Sequence, residues 1–187
     1  MKLKAFKKDA EAARGLILAL FITVCIVIAW AIIFKCNRID QLNLIRNQSW
    51  SLWERFTFRI IPFHSAYVVF RGGNVIGIIA FFANLLCFIP YGALFRFFTD
   101  TRTVILSTLI VIFGVEIFQT LSGFGGFDFT DIFMNCLGAY IGCRVYDLLR
   151  PRIPCRVINM IALAMLPIFT ATAIYGIVNT VLNFPTI

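Results

Sequence analysis

Residues 103–122, TVILSTLIVIFGVEIFQTLS, form an almost unbroken apolar stretch in which Glu116 is the one charged residue. A helix needs about 20 residues to cross roughly 30 Å of hydrocarbon, since it rises about 1.5 Å per residue. The length and composition of this stretch therefore predict a transmembrane helix.

The rest of the chain has the same apolar character. Of its 187 residues 60% are hydrophobic, 21 are phenylalanine, and the mean hydropathy is +0.90. One soluble core could not bury so much apolar surface, whereas a bilayer accepts it. The longest apolar windows predict spans at residues 15–34, 74–98, 103–122, 131–149 and 157–182. We therefore expect one all-α domain over residues 1–187, a polytopic membrane bundle of about five transmembrane helices plus an interfacial helix in an outer loop, residues 35–73.

The positions of lysine and arginine predict the orientation of this bundle, because short cytoplasmic loops carry the excess of basic residues. Eleven of the 17 fall on one side of the predicted spans: Lys2, Lys4, Lys7, Lys8, Arg14, Arg96, Arg102, Arg144, Arg150, Arg152 and Arg156. The amino terminus is therefore expected in the cytoplasm and the carboxyl terminus outside the cell. The net charge of +8 then reflects topology and attraction to membrane lipids, and we expect no nucleic-acid partner.

The links at residues 99–102 and around Pro151 and Pro154 are short. They predict that the second and third spans, and likewise the fourth and fifth, are antiparallel neighbours. In the outer loop, apolar residues recur at helical spacing over residues 42–61, with Trp50 and Trp53 as interfacial anchors and Pro62 as the stop. This pattern predicts a helix lying flat on the outer leaflet, either as a cover over the bundle or as a lid for a lipid headgroup or ligand.

Polar residues lie inside these apolar spans, where an ionisable side chain costs roughly 2.5–3.5 kcal/mol on insertion scales. Helical spacing places Glu116 and Gln119 on one face of the third span, and Asp131 and Asn135 on one face of the fourth. Counting from the span ends puts these two faces at one depth in the outer leaflet. The candidate residues of an outward-facing functional cavity are Asn84, Tyr91, Glu116, Gln119, Asp128, Asp131 and Asn135.

Structural roles compete with this interpretation. Asp128 and Asp131 also suit a helix start, one as the cap and the other beside the positive helix end. Asn84 suits an interhelical hydrogen bond. Gly138 and Gly142 form a small-xxx-small pattern, which is expected to hold the third and fourth spans together. No histidine or cysteine joins the carboxylates, so we expect no metal and no other cofactor.

Several motifs occur in a fixed order along the chain. They are Ile-Pro-Phe at residues 61–63, NLLCFIPYG at 84–92, EIFQ at 116–119, DFTD at 128–131 and NCLG at 135–138. Together they resemble the VanZ-like family of bacterial membrane proteins over about residues 60–146. One departure is that family members often carry an arginine just before the first aspartate of D-x-x-D, where this chain has Gly125-Gly126-Phe127.

The resemblance implies a Gram-positive cell membrane and a link to reduced susceptibility to teicoplanin. The first hypothesis is a non-enzymatic protein that engages a lipid-linked cell-wall precursor or a lipidated envelope molecule, the lipoglycopeptide included, through the outward-facing cavity. The alternative is an intramembrane enzyme that modifies an envelope lipid, with Glu116 and one aspartate as acid and base. A transporter is a weaker third hypothesis, because the chain shows no internal repeat.

Overall fold

The computed structural model describes residues 2–33, 63–73, 75–122 and 127–182. These residues form helices and no strands, as the all-α prediction required. The helices are α1 (Lys2–Ile33), α2 (His64–Arg71), α3 (Val75–Arg96), α4 (Thr101–Ser122), α5 (Phe129–Leu149) and α6 (Cys155–Leu182). The bounds of α3 to α6 lie within two residues of the apolar windows, whereas α1 begins at Lys2 rather than at residue 15.

Four described helices are long and apolar enough to cross a membrane. The qualifying segments are Arg14–Ile32, Gly77–Arg96, Thr101–Leu121 and Val157–Val178. The chain is therefore a multi-pass membrane protein in character. Helix α5, which covers the fourth predicted span, does not qualify, because polar residues such as Asp131, Asn135, Arg144 and Asp147 interrupt its apolar sequence. It buries one face inside the bundle instead.

Helices α3 and α5 run in the same direction and form the most extensive contact in the fold. Asn84 bonds Asp131 towards their amino-terminal ends, and Arg96 pairs with Asp147 at their carboxyl-terminal ends. Helix α4 lies between α3 and α5 in the sequence and runs in the opposite direction, from their carboxyl-terminal ends back to the start of α5.

The contact between α3 and α5 depends on glycines, because a side chain at the contact would collide with backbone. A Cβ at Gly138 would overlap the carbonyl oxygen of Leu85, and one at Gly142 would overlap that of Ile89. From the other side, a Cβ at Gly92 would overlap the carbonyl oxygen of Ala139. The prediction that Gly138 and Gly142 join the third and fourth spans is therefore wrong, since they join the fourth to the second.

Helix α1 runs against α3. Its residue Phe21 packs on the rings of Tyr91 and Phe95 near the carboxyl end of α3, with centroids 5.6 and 5.1 Å apart. At the other end of α1, the carbonyl of Ile32 accepts a hydrogen bond from Gln119 of α4. Helices α1 and α4 therefore run in one direction, and α3 and α5 in the other.

Helix α6 packs against α1 and makes no comparable contact with α5. A Cβ at Gly176 would overlap the indole ring of Trp30, so the carboxyl-terminal part of α6 lies close against the end of α1. The prediction that the fourth and fifth spans pack as neighbours is therefore wrong. A short link brings the end of one helix close to the start of the next. Which helix each of them packs along depends on how well the side-chain surfaces of the helices fit together.

The carboxyl ends of α3 and α5 lie at the basic end of the bundle. Arg96 is the last residue of α3, Arg150 and Arg152 follow α5, and Arg102 lies at the start of α4. Asp100 caps α4 there, since its Oδ2 accepts the N–H of Thr103 at 3.1 Å. The start of α5 and the end of α4 therefore lie at the opposite end.

The outer loop contains the short helix α2, which packs against α3 and α5. Ala66 is buried, while Tyr67 and Phe70 are exposed. Arg71 donates a hydrogen bond of 2.8 Å to the Tyr67 hydroxyl. The interfacial helix predicted at residues 42–61 lies outside the described residues.

Candidate functional site

The amino terminus of α5 begins with a capped turn. Asp128 has φ −124° and ψ 108°, and its Oδ1 accepts the N–H of Thr130 at 2.9 Å. Asp131 lies in the first turn, where the positive end of the helix dipole favours a carboxylate. The interpretation of these two aspartates as a helix start is confirmed.

Glu116 reaches this turn from α4. Its Oε2 accepts the backbone N–H of Asp128 at 3.0 Å, and the residue is only 3% exposed. A hydrogen bond from a backbone amide to a carboxylate is charge-assisted and stronger than one between neutral groups. Because Asp128 is itself 7% exposed, two buried carboxylate side chains lie at one helix start. Phe113 and Phe127 pack edge to face beside them, with centroids 5.7 Å apart.

Asp131 connects the same turn to α3. Its Oδ1 accepts a hydrogen bond of 2.5 Å from Nδ2 of Asn84, which is buried. Asp131 is half-buried, so it is the most accessible of the three carboxylates. The interhelical role expected of Asn84 is thus what the structure shows.

Thr130 attaches the outer helix α2 to this turn. Its Oγ1 accepts the N–H of Phe63 at 3.0 Å, immediately before α2 begins. Phe63 has φ 63°, a left-handed conformation that a non-glycine residue adopts only at a cost. Its ring also packs edge to face on Phe133, with centroids 5.3 Å apart. Sequence reasoning missed Thr130 and Phe63, although both belong to motifs quoted above.

We call Asn84, Glu116, Asp128, Thr130 and Asp131 the polar cluster. Its members come from three helices, α3, α4 and α5, and meet at the start of α5. The hydrogen bonds that join them are the reason that so many polar groups can lie inside apolar sequence, since a buried polar group is costly only when unpaired.

Asn135 lies one helical turn after Asp131 on α5. It is 2% exposed, and its Oδ1 accepts no hydrogen bond from the described residues. A buried carbonyl oxygen left without a donor costs about 1–3 kcal/mol. This acceptor is therefore the part of the site that the described chain leaves incomplete.

The sequence matches the VanZ/LLP1 family over residues 21–150, more than half of the chain. The chain belongs to the VanZ/LLP1 family. The match includes the polar cluster and the part of α1 from residue 21 onwards, which the motifs at residues 60–146 did not reach, and it ends before α6. No curated protein and no solved structure shows significant similarity to the chain.

In this VanZ/LLP1 protein Gln119 makes a contact outside the polar cluster. Its Nε2 donates to the carbonyl oxygen of Ile32 at 2.8 Å. The last carbonyls of a helix have no partner within that helix, so Gln119 satisfies one at the end of α1. Gln119 therefore joins α4 to α1, while Glu116 joins α4 to α5.

Tyr91 also lies apart from the polar cluster. Its ring packs on Phe21, Phe88 and Phe95, and its hydroxyl lies beside Thr108 of α4. Thr108 precedes Glu116 by eight residues on the same helix, about 12 Å at 1.5 Å per residue. The structure thus brings together Asn84, Glu116, Asp128 and Asp131 of the candidate residues, places Asn135 one turn below, and places Gln119 and Tyr91 elsewhere.

The chemistry of the polar cluster is that of hydrogen-bond acceptors. Within the described ranges no three side chains of histidine, cysteine, aspartate or glutamate form a group that could hold a metal ion. The acceptors of the polar cluster include the carboxylate oxygens and the Thr130 hydroxyl, and the buried carbonyl oxygen of Asn135 lies one helical turn away.

Proposed function

We propose that this VanZ/LLP1 protein lowers susceptibility to teicoplanin-type lipoglycopeptides by engaging a lipid-linked or lipidated envelope molecule at the polar cluster. Family membership supports the class of protein. The position of the polar cluster supports the location of the site, because it lies at the end of the bundle opposite the arginines at the carboxyl ends of α3 and α5.

Orientation is part of this proposal. The basic end would face the cytoplasm under the positive-inside rule, so the polar cluster would lie in the outer leaflet of the cell membrane. The amino terminus would then be cytoplasmic and the carboxyl terminus extracellular. The outer leaflet of a Gram-positive membrane is where a lipoglycopeptide and lipid-linked cell-wall precursors meet.

The observation that carries the proposal is the gathering of three carboxylates around one helix start. Charged residues within membrane spans are expensive and usually mark a functional pathway or site. Hydrogen bonds within the cluster hold Glu116 and Asp128 in place. Asp131 is the half-buried member, and in our proposal it is the group that an approaching ligand meets first.

Expression in a susceptible Gram-positive host tests the proposal. The wild-type chain is expected to raise the inhibitory concentration of teicoplanin, and Asp131→Asn is expected to abolish most of that increase at the same membrane level. Asp131→Asn keeps the size of the side chain and removes its charge. Asp147→Asn is the matched control, because it removes a carboxylate from the other end of the same helix.

Vancomycin provides the comparison of ligands, since it lacks the lipid tail. A protein that acts on lipidated molecules is expected to change the inhibitory concentration of vancomycin much less than that of teicoplanin. Equal protection by wild type, Asp131→Asn and Asp147→Asn would contradict a role for the polar cluster.

A further inference from the structure

The unpaired oxygen of Asn135 points to a ligand that donates hydrogen bonds. Asn135 is almost fully buried, yet its Oδ1 accepts nothing from the described residues. Burying an acceptor without a donor is unfavourable, so a group from outside the described chain that supplies N–H or O–H would be stabilised here.

Helix geometry directs the side chain of Asn135 towards the polar cluster. Residues four apart lie one above the other on one helix face, and each Cα–Cβ bond tilts towards the helix amino terminus. The Asn135 side chain is therefore directed towards the turn that carries Asp131. The same face continues into Gly138, which lies against Leu85, so α3 covers this face beyond Asn135.

The negative charge of the neighbouring carboxylates restricts which kind of hydrogen-bond donor would bind beside Asn135. Asp131 lies between Asn135 and the start of α5, and Glu116 and Asp128 add two further carboxylates to that end of α5. Asp131 also accepts the hydrogen bond from Asn84, and its carboxylate lies one helical turn from Asn135. A positively charged donor matches both the carboxylates and the neutral carbonyl.

We propose that Asp131 and Asn135 bind the primary ammonium group of an amine-bearing envelope lipid. The inference rests on the proposed function, because it assigns the chemistry of the molecule engaged at that site. A primary ammonium has three N–H donors, which can be shared between the Asp131 carboxylate and the Asn135 carbonyl. A quaternary ammonium carries the same charge and has no N–H to donate.

Two phospholipids with identical acyl chains separate these possibilities. Phosphatidylethanolamine has a primary ammonium, and phosphatidylcholine has the trimethylated group. Native mass spectrometry of the purified full-length protein, titrated with each lipid in detergent, measures the apparent dissociation constants. We expect phosphatidylethanolamine to be retained at least about tenfold more tightly, the factor that a charge-assisted hydrogen bond supplies.

Variants locate the site. Asn135→Leu is expected to remove most of the preference for phosphatidylethanolamine. Asn159→Leu is the matched control, because Asn159 of α6 also carries a buried Oδ1 that accepts no hydrogen bond from the described residues but lies near the start of α6, away from the polar cluster. It is expected to keep the preference.

Equal retention of the two lipids by the wild-type protein, or retention of neither, would overturn the inference, and neither result depends on a variant that folds. Displacement of phosphatidylethanolamine by an equal concentration of free ethanolamine would overturn the assignment to a lipid. The susceptibility assay is independent of these measurements. Protection against teicoplanin without a preference between lipids would leave the proposed function standing and remove this inference alone.

Discussion

Replacing Gly142 by alanine is expected to separate the two parallel helices at the centre of the fold. A Cβ at Gly142 would overlap the carbonyl oxygen of Ile89 and press on the backbone nitrogen of Ala93. Both are backbone atoms of α3, so no change of rotamer can relieve the collision. Helices α3 and α5 must move apart or the backbone must distort.

The expected size of the effect follows from two opposing contributions. Overpacking of a close-packed contact typically lowers the free energy of unfolding by about 1–3 kcal/mol. A collision with backbone atoms is expected at the upper end of this range, about 3 kcal/mol. Alanine is better than glycine in a helix by about 1 kcal/mol, which offsets part of that cost. The net loss is about 2 kcal/mol, or roughly a thirtyfold change in the unfolding equilibrium constant.

The control is Gly114→Ala in α4, where an added Cβ meets no atom within 4 Å. Only the helix preference acts there, so this variant is expected to be about 1 kcal/mol more stable than wild type. Equilibrium unfolding by SDS in mixed micelles, followed by tryptophan fluorescence, gives the free energy for each protein. If Gly142→Ala unfolds with the same free energy as Gly114→Ala, the proposed backbone contact between α3 and α5 is refuted.

Two further experiments test the ends of the same pair of helices. Asp128→Ala removes the cap of α5 and is expected to lower the free energy of unfolding by about 0.5–2 kcal/mol, whereas Asp128→Asn retains a capping oxygen and should lose less; equal losses would contradict the cap. At the basic end, Arg96 and Asp147 approach to 3.0 Å with side chains 26% and 32% exposed. A double-mutant cycle with Arg96→Gln and Asp147→Asn is expected to give a coupling energy of about 0.2–1 kcal/mol that falls as salt is added. A coupling energy that salt leaves unchanged would contradict this assignment of a partly exposed ion pair.

The sequence predicts individual helices well because the bilayer demands length and apolar composition from each segment separately. The windows at 74–98 and 103–122 thus correspond closely to α3 and α4. Local rules also identify the start of α5, since Asp128 is a favoured capping residue and Asp131 suits the first turn. Each of these features depends on residues that are near one another in the chain.

Pairing between distant helices was harder to predict. A small-xxx-small pattern reports that Gly138 and Gly142 allow close approach, but the pattern does not name the helix that approaches. Helical periodicity likewise places Gln119 near the face of Glu116 without distinguishing the α1 side from the α5 side. Helical spacing also places Asn84 and Tyr91 on one face of α3, although Asn84 contacts Asp131 and Tyr91 contacts Phe95 at another level of the bundle. These choices depend on how several surfaces fit simultaneously.

The position of α6 limits how a change in that helix could reach the polar cluster. Helix α6 rests on α1 through the contact of Gly176 with Trp30, two residues before Ile32. Ile32 is held by Gln119, which lies three residues from Glu116 on α4. A bulky group that displaced α6 from Trp30 would therefore act on α4 through the hydrogen bond between Gln119 and Ile32, which makes Gln119 one link between the last helix and the acidic site.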